Sequence, residues 1–337
     1  MRTMKTAVGG MAAALLLSLG ASPSSAQAPG DRNAVNIPDC NRACLVAALH
    51  SYMDALVHKD PSRAPFAKNV VFTENNVVIP IGEGLWGSIS DASRMGTEAA
   101  DPLTGQAAIY GLVHEHGKPA YYAMLIKVEG KKITRVETVV DRQTSLPGPF
   151  GDITKYGHDS AFGDVLTPDQ RRPRERLRAV ADSYFNTVEL NDGQVFAPFA
   201  TDCERNENGL STTSGNGGSA SVANGCENQF KLGIYHINKR IRERRYPLID
   251  EERGVVVSTA FFDHANYFDT YKLTDGREMK TLMKWPNSIS LIEAFKIRDG
   301  KIFRIEVVFT YVPYFMHNPW AVPTPEPALA SNSAKGR

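Results

Sequence analysis

Apolar residues return at helical spacing twice along this chain. They do so at Leu45, Leu49, Tyr52, Met53 and Leu56, and again at Leu177, Val180, Ala181, Tyr184, Phe185 and Val188. Asp60-Pro61 stops the first pattern and Asn191-Asp192-Gly193 the second. After each helix the pattern changes to alternating or continuous apolar runs rich in β-branched and aromatic residues. In the first half these runs are 70–72, 107–113, 120–128 and 133–140; in the second they are 255–262, 288–297 and 302–312. Asp299-Gly300 separates the last two as a tight hairpin turn. A long amphipathic helix followed by a meander of long strands predicts an α+β fold, a curved antiparallel sheet wrapped on helices.

The order of elements repeats because the sequence repeats. Ser51-Tyr-Met-Asp-Ala-Leu56 lies beside Ser183-Tyr-Phe-Asn-Thr-Val188, displaced by 132 positions. At a displacement of 133, Pro65-Phe-Ala67 meets Pro198-Phe-Ala200 and Glu74-Asn75 meets Glu207-Asn208. A Gly/Ser/Asn-rich insertion follows in the second half. Then Asp101 to Gly105 aligns with Asp250 to Gly254, and Ile133-Thr-Arg-Val-Glu137 with Ile302-Phe-Arg-Ile-Glu306. Four matched blocks in one order imply two diverged copies of one module, expected to pack on each other as an intramolecular pseudo-dimer. The organisation predicted is a signal peptide over 1–28, a first domain over 38–144, a Gly/Pro-rich linker over 145–172, a second domain over 173–317 and a disordered tail over 318–337.

The signal peptide rests on Arg2 and Lys5 before an apolar stretch over 7–19, with small-residue cleavage sites at 24–28. That stretch is shorter than the ~20 residues that span a bilayer, so the expectation is export to a periplasm or the exterior, without a membrane anchor. The formal net charge is +1 and loses two positive charges with the signal, which argues against a nucleic-acid partner. The arginine-rich stretches at 171–178 and 239–245 read as solvated faces of helices and strands. Cys40, Cys44, Cys203 and Cys226 form an even set suited to disulfides. A Cys203–Cys226 bridge would staple the flexible insertion, whereas Cys40 and Cys44 can pair only if Cys40 precedes the regular turn. No phosphate loop, dinucleotide motif, nucleophile elbow or metal triad is visible, so neither a cofactor nor a metal is expected.

With these features each copy resembles a nuclear transport factor 2-like domain, the cone-shaped fold of ketosteroid isomerase, scytalone dehydratase, limonene epoxide hydrolase and the SnoaL-like polyketide cyclases. The carriers of the resemblance are the Leu-x-x-Tyr-x-x-Ala-Leu helix ending at Asp60-Pro61, Phe66-Ala67 before a strand with an acidic residue, and the closing hairpin 295–306. The resemblance implies a pocket between the helix and the concave face of the sheet. Ketosteroid isomerases use a helix tyrosine as oxyanion donor, a strand acid as proton shuttle and a protonated acid on a later strand. Carried over, these fall on Tyr184, Glu207 and Glu293 as the catalytic set, with Glu standing where those isomerases carry Asp. In the first copy Tyr52 and Glu74 fall at the first two places and Met124 at the third.

A carboxylate in an apolar cavity has its pKa raised toward the working pH, so it can exchange protons. A hydroxyl and a protonated acid aimed at one point stabilise a developing oxyanion, as they do in ketosteroid isomerase itself. Glu293 stands between apolar residues, where an acid without a role is costly. Arg205 lies two positions before Glu207 and so faces the same side of the strand, where it would bind substrate or pair with the glutamate. Asn208, Tyr52, Glu74 and His317 complete the candidate substrate contacts, and the aromatic residues 311–320 would either cover a pocket mouth or seal the junction of the copies. The expectation is a cofactor-independent lyase or isomerase acting on a small cyclic or aromatic molecule. The competing expectation is a non-catalytic binding or assembly protein using the same pocket.

Overall fold

A computed structural model describes residues 39–142, 153, 156–215, 218–265 and 268–321. The expected signal peptide, the first part of the linker and residues 322–337 of the expected tail lie outside the described residues. The first copy runs α1 (Arg42–His58), β1 (Phe66–Glu74), β2 (Val77–Ile79), α2 (Leu85–Ser88), β3 (Ile89–Asp101), β4 (Gln106–Glu115), β5 (Lys118–Glu129) and β6 (Lys132–Asp141). The second runs α3 (Arg174–Leu190), β7 (Phe199–Glu207), β8 (Leu210–Ser211), α4 (Cys226–Lys231), β9 (Arg240–Asp250) and β10 (Val255–His264). It continues through β11 (Thr270–Lys272), β12 (Glu278–Lys280), β13 (Asn287–Arg298) and β14 (Lys301–Val312). The result is two tandem α+β cones.

The two sheets have the same strand order, β2-β1-β6-β5-β4-β3 and β8-β7-β14-β13-β10-β9. They are antiparallel except at one ladder each, where β1 runs parallel to β6 and β7 to β14. The exception follows from parity. Three antiparallel steps from β3 make β6 run opposite to β3, and β1, which enters the sheet beside β6, also runs opposite to β3. Register repeats as well as order. Phe66 lies opposite Ile133 and Glu74 opposite Thr138, just as Phe199 lies opposite Ile302 and Glu207 opposite Val307. Gly105 and Gly254 show why one turn residue is common to both copies. Each has positive φ, and a Cβ there would meet a carbonyl oxygen, of Val128 at 2.5 Å and of Ile297 at 2.2 Å.

Each helix packs on the concave face of its own sheet. Tyr122, Met124 and Ile126 of β5 join α1 in one core, while Leu291 and Phe295 of β13 join α3 in another. The alternate residues point the other way. Tyr121, Ala123 and Leu125 of β5 and Ile292 and Ala294 of β13 belong to a third core, which both sheets share. Burial on both faces explains why these strands read as continuous apolar runs. Tyr156 and Phe162, in the segment expected to be a linker, are buried in this shared core.

The copies are also joined by a reciprocal pair of ion pairs. Arg42, first residue of α1, binds Asp250 of the second copy with two contacts of 2.7 Å. Arg174, first residue of α3, binds Asp101 of the first at 2.7 and 3.1 Å. The arginines are equivalent positions of the two copies, and so are the aspartates.

Two sequence expectations change. The basic stretch 239–245 is not a solvated face: it opens β9, where Arg242 binds Asp263 and Glu243, and Arg245 binds Glu137 across the junction. The expected tail begins too early at 318. Asn318 is buried and donates to Glu137, and Trp320 donates to Thr73 Oγ1 at 3.1 Å with the Arg135 guanidinium over its ring. The end of the C-terminal aromatic segment, at Asn318 and Trp320, therefore seals the junction. Disulfides join Cys40 to Cys44 and Cys203 to Cys226, with Cys40 outside the helix as its pairing requires; both suit an oxidising compartment. Among the described residues no helix is long and apolar enough to cross a membrane.

Candidate active site

In the second cone a cavity of about 360 Å³ lies between α3 and the concave face of the sheet, a size typical of small-molecule sites. Much of its wall is apolar, from Val188, Phe262, Ile289, Leu291, Val307 and Phe309. Two segments without a long counterpart in the first copy complete it. Ile234, Tyr235 and Asn238 come from the stretch between β8 and β9, and Tyr271, Met279 and Leu282 from the stretch holding the β11–β12 hairpin. The Cys203–Cys226 bridge fastens the first of these segments to β7.

Tyr184, Glu207 and Glu293 all line this cavity. Tyr184 sits on the buried stripe of α3, Glu207 ends β7, and Glu293 is central on β13 opposite Ser258 and Val307. Glu293 is 2% exposed. Burial, then repulsion from Glu207, pushes its pKa up to about 8, so it is protonated at neutral pH. A hydrogen bond links its carboxyl to the Tyr184 side chain, while its Oε2 has no hydrogen-bond partner. Burial also raises the Tyr184 phenol well above its ordinary value, so it stays a neutral donor. Two neutral O–H groups thus stand beside one carboxylate.

That carboxylate is held from behind. Arg205 is fully buried and its Nε lies 2.6 Å from Glu207 Oε1. The guanidinium also donates to Thr212 Oγ1, Gln229 Oε1 and the Tyr235 hydroxyl. Arg205 therefore orients Glu207 and is not itself among the residues that line the cavity.

The remaining predicted contacts are placed elsewhere. Asn208 has positive φ, and its side chain bridges the backbone of Phe309, donating to the carbonyl at 2.9 Å and accepting from the amide at 3.0 Å. Asn75 does the same to Val140 in the first copy. The repeated Asn is therefore explained by strand anchoring. His317 contacts Glu243, with which it forms an ion pair if protonated. In the first cone Tyr52 accepts from Trp86 Nε1 at 3.1 Å, and the Tyr122 hydroxyl donates to Met124 Sδ at 3.4 Å. Glu74 accepts from the Leu85 amide at 2.7 Å and binds Arg142 at 2.8 Å. Gly84 permits this approach, since a Cβ there would lie 2.6 Å from Glu74 Oε2.

Sequence reasoning missed Tyr235, Asn238 and His264 of the second site, and offered Tyr311 only as part of an aromatic segment covering a pocket mouth or the junction. Ladder register gives a signal for two of them. His264 occupies the place of Glu115 and Tyr311 that of Arg142, so the ion pair closing the first cone (2.6 Å) has no counterpart in the second. Among the described residues no group of three or more His, Cys, Asp or Glu side chains is placed to hold a metal ion.

A family model described as Domain of unknown function (DUF8021) matches residues 39–140 and 170–309. No curated protein matches the chain. Among solved structures, a protein of unknown function with cystatin-like fold from Methylobium petroleophilum PM1 is 15% identical, with 40% of this chain and 98% of that one covered and a TM-score of 0.27. An NTF-2 like protein of unknown function from Burkholderia xenovorans LB400 is 11% identical, covering 32% and 89%, with a TM-score of 0.25. An LEH-like epoxide hydrolase of M. tuberculosis is 13% identical, covering 29% and 84%, with a TM-score of 0.24.

Proposed function

The chain belongs to the Domain of unknown function (DUF8021) family, and for this member we propose an exported, cofactor-independent lyase or isomerase whose chemistry resides in the second cone. The observation that carries the proposal is the convergence, in an apolar cavity, of a carboxylate (Glu207) with two buried neutral donors (Tyr184 and protonated Glu293). Neighbouring acids whose environments separate their protonation states are suited to base and acid roles.

In the proposed reaction Glu207 takes a proton from the carbon beside a substrate carbonyl. The electron pair moves onto the carbonyl oxygen, which accepts hydrogen bonds from Tyr184 and Glu293 as charge develops. The protonated Glu207 returns the proton to another carbon in an isomerisation, or gives it to a β-leaving group as that group departs in an elimination. Arg205 holds the base in place. Export rests on the N-terminal pattern and on the two disulfides.

A binding protein without chemistry is the second reading, favoured by the Arg205–Glu207 ion pair, which satisfies the glutamate before any substrate arrives. One experiment separates the two. Cyclic ketones incubated with the purified protein in deuterium oxide should gain deuterium beside the carbonyl faster than in buffer, followed by NMR. Ketones that bind in the cavity yet exchange no faster than in buffer would leave the carrier reading standing.

A further inference from the structure

Beyond the acid cluster, the cavity has a second polar end. Asn238 and His264 both line it. His264 is 1% exposed, and burial lowers its pKa, so the imidazole is neutral and carries one N–H. Its Nδ1 lies 3.0 Å from Asn287 Oδ1 and its Nε2 lies 2.9 Å from Asn238 Oδ1.

The network fixes the proton. The Asn287 amide nitrogen is committed to the Trp285 carbonyl at 3.0 Å, with Met283 Sδ at 3.6 Å. Asn287 therefore offers only its oxygen to the ring, and Nδ1 must be the donor. Nε2 is then a lone pair and needs an N–H. Asn238 supplies one when its amide is turned so that nitrogen faces the ring, an exchange that hydrogen-bond networks rather than atom positions decide. The turn exchanges the two amide atoms, so the carbonyl oxygen takes the nitrogen's place in a residue that lines the cavity and is free to act as an acceptor there.

The two ends are far apart. His264 pairs with Asn287 on β13, six residues from Glu293, which is about 20 Å along a strand at ~3.3 Å per residue. Between them β13 contributes only Ile289 and Leu291 to the cavity wall.

We propose that the cavity takes an elongated apolar carbonyl compound bearing a hydroxyl at the end remote from the carbonyl, and that Asn238, positioned by His264 and Asn287, selects that hydroxyl as a hydrogen-bond donor. The carbonyl end rests on the acid–base function above; the hydroxyl end does not.

Calorimetric titration with three probes tests it: a cyclohexanone carrying a para-hydroxybiphenyl group, the plain biphenyl analogue and the para-methoxy analogue. The wild type should bind the hydroxyl probe about tenfold more tightly than the plain one, the size expected for one net hydrogen bond. The methoxy probe, which can only accept, should bind no better than the plain one. Asn238→Leu should equalise the hydroxyl and plain probes, whereas Glu207→Gln should keep their ratio. Equal binding of the hydroxyl and plain probes by the wild type, a gain from methoxy, discrimination that survives Asn238→Leu, or failure of all three to bind would overturn the proposal. Because the wild-type probe series stands without any variant, misfolding of Asn238→Leu would not rescue it. Discrimination without deuterium exchange would refute the catalytic function and leave the hydroxyl site intact.

Discussion

In the first cone Glu74 accepts from the Leu85 amide and from Arg142, and Trp86 stands against Tyr52 with ring centroids 5.4 Å apart. In the second cone the equivalent Glu207 and Tyr184 face a cavity. The scaffolds differ little: strand order, ladder register, the turn glycines and the anchoring asparagines are common to both. What differs is a handful of inward positions. Met124 stands for Glu293, Arg142 for Tyr311 and Glu115 for His264, while the second copy adds wall segments around 212–239 and 265–286. A repeated tyrosine and glutamate thus do not by themselves make a site; whether the space between them is filled decides it.

The largest effect expected concerns the filling. Trp86 is 1% exposed within the first core, so Trp86→Ala should cost about 3–5 kcal/mol of stability, measured by denaturant unfolding, while leaving deuterium exchange on ketones unchanged. A near-neutral change would mean that the first cone is not packed around Trp86. Next comes Glu293→Met, which gives the second cone the first cone's residue. Loss of one oxyanion donor should lower turnover ~10²–10³-fold, with the fold retained because Met already occupies the equivalent place. Unchanged turnover would remove Glu293 from the site.

A smaller effect tests the symmetry of the junction. Arg42→Met and Arg174→Met should each destabilise by about 2 kcal/mol, as losing hydrogen bonds to a charged group does, and by similar amounts. A several-fold disparity would break the pseudo-symmetric account of the Asp250 and Asp101 pairs. A further effect is on pH dependence. Glu293 and Glu306 are both raised to about 8 from 4.5, by burial first. Their protons are held more tightly in the folded state, so the stability they contribute at low pH is lost as pH rises from 4.5 through about 8. Thermal unfolding should show a decline across that window, and Glu293→Met should reduce it; an unaltered decline would contradict the raised value at Glu293.

Much of this was legible in the sequence, because the repeat preserved what each position does. The matched blocks became ladders with the same register, and Tyr184, Glu207 and Glu293 were brought to one cavity. What stayed hidden depends on partners far apart in the chain. The helical patterns begin at Leu45 and Leu177, just past Arg42 and Arg174, yet only the packing of one copy on the other supplies Asp250 and Asp101. The stretch holding Trp86 lies between matched blocks, so no alignment of the copies exposed its role. Asn208 looked like a ligand contact because it repeats with Glu207; it repeats because each copy needs the same strand anchor.

The central claim is that one cone of two performs the chemistry, and a paired substitution tests it most directly. Glu207→Gln and Glu74→Gln, both shown to be folded, should be compared in the same deuterium-exchange assay. Loss of the acid–base group should lower exchange ~10²–10⁴-fold in Glu207→Gln, while Glu74→Gln retains most of the wild-type rate. Greater loss in Glu74→Gln, or equal loss in both, would contradict the assignment of the active cone.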